Sequence, residues 1–192
     1  MKKITSLAFL ASSLILFSFQ FSINGGLPDI YMINPKASSI NWKMVDDEEK
    51  TTTGTIEFKS GNLKIDTKQI VGGFAYVNMQ TLACNSIEDA GFNKAKVDEM
   101  RSAEVMNVVK YKEMTFKIIK AIRKDVPEGQ PNYDITMQVG LKGLKKNVQF
   151  PAVVDLGKKA TSLTSSFVLD HDIFSLPHDI EMSIVMETTL KK

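Results

Sequence analysis

The fold is decided by the stretch YDITMQVGLKGLKKNVQFPAVVDL, residues 133–156, in which apolar side chains occupy alternate positions. Residues 148–156 keep this alternation after a turn predicted at residues 142–147. Successive side chains of a β-strand point to opposite faces, so the pattern predicts two strands, each with one apolar face. In the first strand the apolar residues at every second position are Tyr133, Ile135, Met137, Val139 and Leu141.

The same period continues on both sides of this hairpin. Further strands are predicted at residues 31–45, 53–65, 74–82, 114–118, 163–169 and 182–190. Turn signals lie within the first two of these segments, at residues 34–35 and 60–62, and between later strands at residues 125–131 and 157–159. About eight strands without βαβ alternation predict an all-β antiparallel barrel or sandwich. A closed eight-stranded barrel has an interior that side chains just fill or that holds one small ligand.

One segment departs from the β pattern. Residues 93–107, NKAKVDEMRSAEVMN, contain good helix formers and neither Gly nor Pro. Val97, Met100, Val105 and Met106 can share one face, with charged residues elsewhere. We expect one short helix, either continuous or broken near Ser102, packed across an end of the sheet, where it would gate the mouth of a cavity.

The N-terminus has the layout of a secretory signal peptide. Lys2 and Lys3 precede an apolar run at residues 7–21, which is shorter than a membrane-spanning helix requires. We therefore predict a signal peptide at residues 1–22, with cleavage as late as residue 26, and a barrel domain at residues 28–192. The protein is expected to be periplasmic or secreted, and an uncleaved anchor remains an alternative.

Composition and net charge exclude several kinds of partner and site. The net charge of +2 gives no reason to expect a nucleic-acid partner, and 43% hydrophobic residues suffice for a packed core. The single cysteine, Cys84, excludes an internal disulfide and a multi-cysteine zinc site. We expect this thiol to be buried, because free cysteine usually behaves as a small hydrophobe.

Several motifs, in this order, resemble the YceI family of lipocalin-like proteins. The resemblance runs from about residue 30 to residue 190 and implies an eight-stranded lipocalin-like barrel that binds a polyisoprenoid or related lipid. The stretches that carry it are residues 31–42 (YMINPKASSINW), 54–63 (GTIEFKSGNL), 72–79 (GGFAYVNM), 97–116 (VDEMRSAEVMNVVKYKEMTF) and 141–151 (LKGLKKNVQFP).

The chain also departs from the family pattern. Val105 and Met106 stand where a pair of aromatics is usual, and Glu113 stands where proline is usual. Residues 145–147 read Lys-Lys-Asn instead of Thr-Lys-Pro, and residues 171–176 replace an Arg-x-Asp-aromatic-Gly phrase. Such differences alter loops and pocket ends, where ligand preference varies.

The in-phase apolar residues form the candidate pocket. An interior of roughly 300 Å³ or more would favour a ligand cavity, whereas a filled interior would indicate a solid secreted interaction protein. The residues predicted to line the pocket are Val77, Met79, Phe116, Ile118, Tyr133, Ile135, Met137, Val139, Phe150, Val154, Phe167, Ile184 and Met186.

The predicted activity is non-catalytic carriage of an amphiphile such as a polyisoprenoid, an isoprenoid quinone or a fatty-acid derivative. No catalytic residue, metal site or cofactor is predicted, apart from a bound lipid. Membrane contact would be transient, and a homodimer remains open. The competing hypothesis is an enzyme with a small hydrophobic site that uses His171 and Asp172 as acid–base partners.

Overall fold

The computed structural model describes residues 26–191. Nine strands and two short helices make up this region, and the predicted signal peptide at residues 1–22 lies outside it. In chain order the elements are β1 (Asp29–Ile33), β2 (Ser39–Val45), β3 (Thr51–Asp66), β4 (Gln69–Cys84), α1 (Ala90–Arg101), β5 (Glu113–Arg123), β6 (Tyr133–Leu141), β7 (Leu144–Leu156), β8 (Ala160–Leu169), α2 (His171–Phe174) and β9 (Ile180–Leu190).

These strands close into one antiparallel barrel. Each strand from β2 to β9 pairs with the next along the chain, and β2 pairs with β9. Strand β1 also lies between β3 and β9, so β1 and β2 form one interrupted side of an eight-sided barrel. The predicted all-β fold class is therefore confirmed. Among the described residues, no helix is long and apolar enough to cross a membrane.

Strand β3 corrects one prediction. Residues 60–62, Ser-Gly-Asn, were predicted to be a turn, but β3 continues through them and pairs with β4 on one side. A β-bulge between Phe58 and Ser60 absorbs the irregular sequence. The reversal of the chain occurs instead at Thr67 and Lys68, which both have left-handed backbone angles.

The hairpin between β6 and β7 is tighter than predicted. Only Lys142 and Gly143 form the turn, with φ of 53° and 80°. Such angles at both central residues match the twist of the flanking strands in a two-residue hairpin. Residues 144–147, which were predicted to be part of the turn, belong to β7.

Helix α1 is shorter than the predicted helix at residues 93–107 and begins earlier. The Asp89 carboxylate accepts hydrogen bonds from the amides of Gly91 and Phe92, which caps the first turn. The chain leaves the helix at Ser102, whose backbone is extended. Residues 102–107 continue as turns.

The two ends of the barrel differ. One end, called here the helix end, carries α1, α2, the β2–β3 loop and the β6–β7 turn, because these connections join the strands at the same end of the barrel. At the end called here the turn end, the connections are residues 67–68, 124–132 and 157–159. No helix covers the turn end within residues 26–191.

Candidate functional site

The barrel interior contains one small apolar cavity. Its volume is about 20 Å³, roughly that of one water molecule. Eleven of the thirteen residues at its wall are apolar. They are Leu63, Phe74, Ala75, Phe116, Ile118, Ile135, Met137, Phe150, Leu163, Ile184 and Met186, and the two polar ones are Asn62 and Ser165.

Seven of the thirteen residues predicted to line a pocket lie at this wall: Phe116, Ile118, Ile135, Met137, Phe150, Ile184 and Met186. The other six are buried elsewhere in the core and are absent from the wall: Val77, Met79, Tyr133, Val139, Val154 and Phe167. Six wall residues were not among those predicted: Asn62, Leu63, Phe74, Ala75, Leu163 and Ser165.

Aromatic rings occupy the space beside the cavity. Phe150 stacks on Phe167, with ring centroids 5.0 Å apart and an interplanar angle of 21°. Phe116 meets Phe167 edge to face at 5.9 Å, and Phe58 meets Phe116 in the same manner at 6.5 Å. The expected cavity of roughly 300 Å³ is thus absent within residues 26–191, because these side chains fill the centre.

Entry of an apolar chain would require side-chain movement inside the barrel. Met137 and Met186, both at the cavity wall, are suited to this because an unbranched thioether changes rotamer readily. Their neighbours include small side chains, Ala75 and Ser165. The Ser165 hydroxyl is already satisfied, since it donates a 2.7 Å hydrogen bond to the Pro151 carbonyl.

The helix end is firmly closed. Three side chains are completely buried there: Met100 from α1, Phe174 from α2, and Met106 from the turns that follow α1. The Arg101 guanidinium donates to the Gln80 and Leu82 carbonyls at 2.8 Å, which ties α1 to the end of β4. Rearrangement of this end would therefore break packing and hydrogen bonds together, contrary to the expected gating by residues 93–107.

The turn end is more open. A surface pocket of about 570 Å³, called here the turn-end pocket, lies between the β5–β6 loop and β7. Lys68, Arg123, Asn132 and Tyr133 are among its lining residues. The Asn132 side chain fixes the loop, because it donates to the Val154 carbonyl and accepts from the Val154 amide, both at 2.8 Å.

The two histidines lie on the outside of the helix end. His171, His178 and Asp179 line a surface cleft of about 500 Å³ that shares no residue with the interior cavity. His171 Nδ1 lies 2.8 Å from Asp179 Oδ1, and His171 Nε2 lies 3.5 Å from Asp172 Oδ1. The competing acid–base hypothesis therefore has a histidine–carboxylate pair, but in a solvent-exposed cleft.

The interactions within this cleft favour the charged forms of His171 and Asp179. The hydrogen bond that the His171 imidazole donates to the Asp179 carboxylate raises the pKa of His171 above 6.5, and the nearby Asp172 charge adds to this. Conversely, the His171 backbone amide and imidazole lower the pKa of Asp179 below 3.8. Ligand-type atoms of Asp170, His171 and Asp172 lie within 4.8 Å of one another, yet Asp170 also caps α2 through the Ile173 amide.

The Cys84 thiol is buried at the end of β4, as predicted. Its sulfur lies 3.8 Å from the Ser86 hydroxyl. Among the described residues, this contact gives the thiol no catalytic partner. Cys84 is therefore part of the core.

The fold and interior define a class: closed antiparallel barrels with an apolar centre and one helix-covered end. A family model for the YceI-like domain matches residues 31–191, and the chain belongs to this family. The resemblance inferred from the sequence motifs is thereby confirmed.

Solved structures share this fold. BcnA from Burkholderia cenocepacia is 13% identical with a TM-score of 0.64, and the match covers 82% of this chain and 99% of BcnA. A polyisoprenoid-binding domain from Saccharophagus degradans is 12% identical with a TM-score of 0.60, covering 86% of this chain and all of that domain. A search of curated proteins finds no match.

Proposed function

We propose that this protein is an exported, non-catalytic carrier that takes the apolar tail of an amphiphile into its barrel. The interior is filled by side chains and falls short of the roughly 300 Å³ expected for a preformed cavity, so the proposal requires these side chains to move when a tail enters. The observation that carries the proposal is the apolar wall of the internal cavity, in a barrel that has helices at only one end within residues 26–191. Membership of the YceI-like family and similarity to a polyisoprenoid-binding domain support an isoprenoid or another long-chain lipid as cargo.

The energetics permit such binding even though the cavity is small. Transfer of ten methylene groups from water would supply up to about 8 kcal/mol. Part of this free energy would be consumed in moving the side chains around Phe150 and in ordering the tail. The resulting affinity would be moderate, which suits a protein that must also release its cargo.

The N-terminal segment supports an exported location. Its basic start and apolar run at residues 7–21 fit a signal peptide, which would direct the barrel to the periplasm or the exterior. An isoprenoid, an isoprenoid quinone or a fatty-acid derivative would be carried there between membrane surfaces. Contact with the membrane would then be brief.

Lipid extraction tests this function. Protein purified without detergent is extracted with organic solvent, and the extract is analysed by mass spectrometry. We expect a long-chain amphiphile in the extract, at a level that falls in Ala75→Leu, because the added carbons project into the cavity wall. Ala83→Leu is the control, since Ala83 lies on β4 but is absent from that wall.

The two competing hypotheses predict different results. Repeated preparations that contain no lipid, together with failure to bind added long-chain alcohol, would show that the barrel is a solid interaction module. A histidine-dependent enzyme would lose its biological activity in His171→Ala, whereas a carrier would keep both activity and bound lipid in that variant.

A further inference from the structure

The wall of the internal cavity reaches the surface at one place. Eleven of its thirteen residues are buried, and the two that are not are Phe74 on β4 and Ile118 on β5. The Phe74 ring is 41% exposed although it borders the cavity. The ladder between β4 and β5 ends beside both residues, because its last pair is Gly73 with Ile118. The cavity wall is therefore exposed at the end of this ladder.

Both strands continue past this point without pairing with each other. Strand β4 begins at Gln69 and β5 runs to Arg123, but within residues 26–191 the segment 69–72 pairs only with β3 and the segment 120–123 only with β6. The Arg123 guanidinium donates to the Lys68 carbonyl at 3.3 Å and bridges the two strands at the turn end. The barrel therefore has a seam in its side, between the end of the ladder and this bridge.

Exposed apolar side chains surround the seam. They are between 38% and 56% exposed and define the surface called here the seam face: Val71, Phe74 and Tyr76 on β4 and Ile119 and Ile122 on β5. The Phe74 and Tyr76 rings meet edge to face, with centroids 5.6 Å apart. Single exposed apolar residues are common, whereas a group of them on neighbouring strands marks an interaction surface.

Three lysines accompany these apolar residues. Lys117 lies opposite Phe74 on the adjacent strand, Lys64 lies opposite Gly72, and Lys120 lies between Ile119 and Ile122 in the sequence. All three are exposed. In the described part of the chain, none of the three has a carboxylate within ion-pair distance.

Carboxylates offset little of this positive charge. Strands β3 to β6 carry four of them: Glu57, Asp66, Glu113 and Asp134. Lys59 binds Glu113 at 2.5 Å, and Lys124 binds Asp134 at 2.7 Å. Glu57 lies opposite Asn78, at the other end of the β4–β5 ladder. With only Asp66 near the seam, the seam face carries a positive excess that complements an anionic surface.

We propose that the seam face docks on a membrane surface with anionic head groups. Its apolar side chains enter the lipid boundary, while Lys64, Lys117 and Lys120 contact the head groups; this combination gives peripheral membrane binding. The exposed part of the cavity wall then faces the lipid, so a tail passes through the seam without crossing water. This inference rests on the proposed carrier function and assigns a partner surface to it.

Vesicle flotation tests the docking. The full chain is mixed with vesicles of phosphatidylcholine or of phosphatidylcholine and phosphatidylglycerol in equal amounts. We expect tighter binding to the anionic mixture, weakened by salt. Lys117→Glu/Lys120→Glu should reduce this binding by at least about tenfold. Lys36→Glu/Lys110→Glu is the control, because it makes the same charge change at exposed positions outside the seam face.

The apolar contribution is tested with Val71→Ser/Ile122→Ser, which should also weaken binding several-fold. The matched control is Phe92→Ser/Val109→Ser, since Phe92 and Val109 are exposed apolar residues outside the seam face. Every variant keeps residues 1–26, so any vesicle binding by the apolar run at residues 7–21 is common to the series. Melting temperatures show that the variants are folded.

A fluorescent label reports which face meets the membrane. Ile122→Cys and Phe92→Cys each provide an exposed thiol for a nitrobenzoxadiazole label, whereas Cys84 is buried. On addition of the anionic vesicles, emission from residue 122 should increase and shift to shorter wavelength, and emission from residue 92 should stay unchanged. The same response at both positions would overturn the docking surface, even if the apolar run anchors the chain.

Transfer of radiolabelled hexadecanol from the anionic vesicles connects docking with cargo. Transfer to Lys117→Glu/Lys120→Glu should be several-fold slower than to wild type. Hexadecanol affinity measured without vesicles should stay unchanged, because neither lysine borders the cavity.

The outcomes separate docking from carriage. Equal vesicle binding and equal transfer rates in wild type and in the seam-face variants would overturn the docking, while hexadecanol binding in solution would leave the carrier function standing. A dimer that Val71→Ser/Ile122→Ser dissociates, without flotation of the wild type, would assign the face to a second copy of the chain and overturn the membrane proposal. Flotation through the seam face without any binding of hexadecanol would support the docking and overturn the carrier function.

Discussion

Trp42 is completely buried beside a glycine that leaves room for its ring. The indole nitrogen donates to the Ala83 carbonyl at 3.1 Å. A Cβ atom added to Gly54 would lie 2.5 Å from two indole carbons and 1.9 Å from that same carbonyl oxygen. The absence of a side chain at Gly54 is therefore required where β2, β3 and β4 meet.

Gly54→Ala should lower the free energy of unfolding by at least about 2 kcal/mol, because backbone and ring would both have to shift. Denaturant titration followed by Trp42 fluorescence measures the change. Gly72→Ala is the control, since a Cβ there meets nothing within 4 Å. Equal stability of the two variants would show that the packing around Trp42 is looser than described.

The His171–Asp179 pair gives stability a defined pH dependence. The raised pKa of His171 means that its contribution is present below 6.5 and is lost as pH rises through the folded-state value. The lowered pKa of Asp179 means that its contribution is present above 3.8 and is lost as pH falls through the folded-state value. Both contributions are complete between pH 3.8 and pH 6.5 and decline gradually outside this range.

We therefore expect the difference in melting temperature between wild type and Asp179→Asn to be greatest near pH 5 and to narrow as the pH rises above 6.5. Thermal unfolding across this range measures it. Asp172→Asn serves as a comparison, because Asp172 lies farther from the imidazole. A difference that grows with increasing pH would contradict the assigned pairing.

At the level of the elements, one lysine joins the segment after α1 to the end of α2. Lys142 Nζ donates to the Glu104 carbonyl at 2.8 Å and to the Ser175 carbonyl at 2.9 Å. Glu104 follows α1, and Ser175 ends α2, so the ammonium group links segments that are distant in sequence.

Lys142→Met should loosen both segments while the barrel strands stay protected. Amide hydrogen exchange is expected to accelerate in residues 102–112 and 170–179, because these lose a shared charge-assisted hydrogen bond. Lys145→Met is the control, as Lys145 is exposed on β7. Faster exchange in only one of the two segments would show that Lys142 does not link them.

Helices and strands were predictable where the apolar alternation was strict, and less so where contacts between distant residues decided their boundaries. Strand β6 follows from its apolar period alone. The end of α1 depends on Arg101 reaching backbone carbonyls of β4, a long-range contact that the sequence does not reveal. Likewise, residues 60–62 have turn chemistry but become strand because all three pair with β4, and Asn62 also pairs with β1.

The candidate site was harder to predict, because β-bulges change which residues point inward. A register shift between Ile118 and Lys120 alters the phase of β5, and another between Phe58 and Ser60 alters that of β3. Leu63 follows residues 60–62, which were predicted to be a turn, and no residue of β3 was included in the predicted pocket. A period-two pattern also cannot separate a cavity wall from filled core, which explains why Val139 and Phe167 were included.

For the whole molecule, uptake as proposed requires an apolar tail to enter the barrel by displacing side chains that now leave about 20 Å³. The methionines report on this directly. Met137 and Met186 border the cavity, whereas Met32 is 38% exposed on β1 and absent from that wall. Their methyl groups therefore distinguish interior binding from adsorption on the surface.

The most direct measurement is an NMR titration of protein carrying ¹³C-methyl methionine with hexadecanol. The Met137 and Met186 methyl resonances should shift in a saturable manner, while the Met32 resonance stays in place. A shift confined to Met32, or no shift at all up to the solubility limit of the alcohol, would contradict uptake into the barrel.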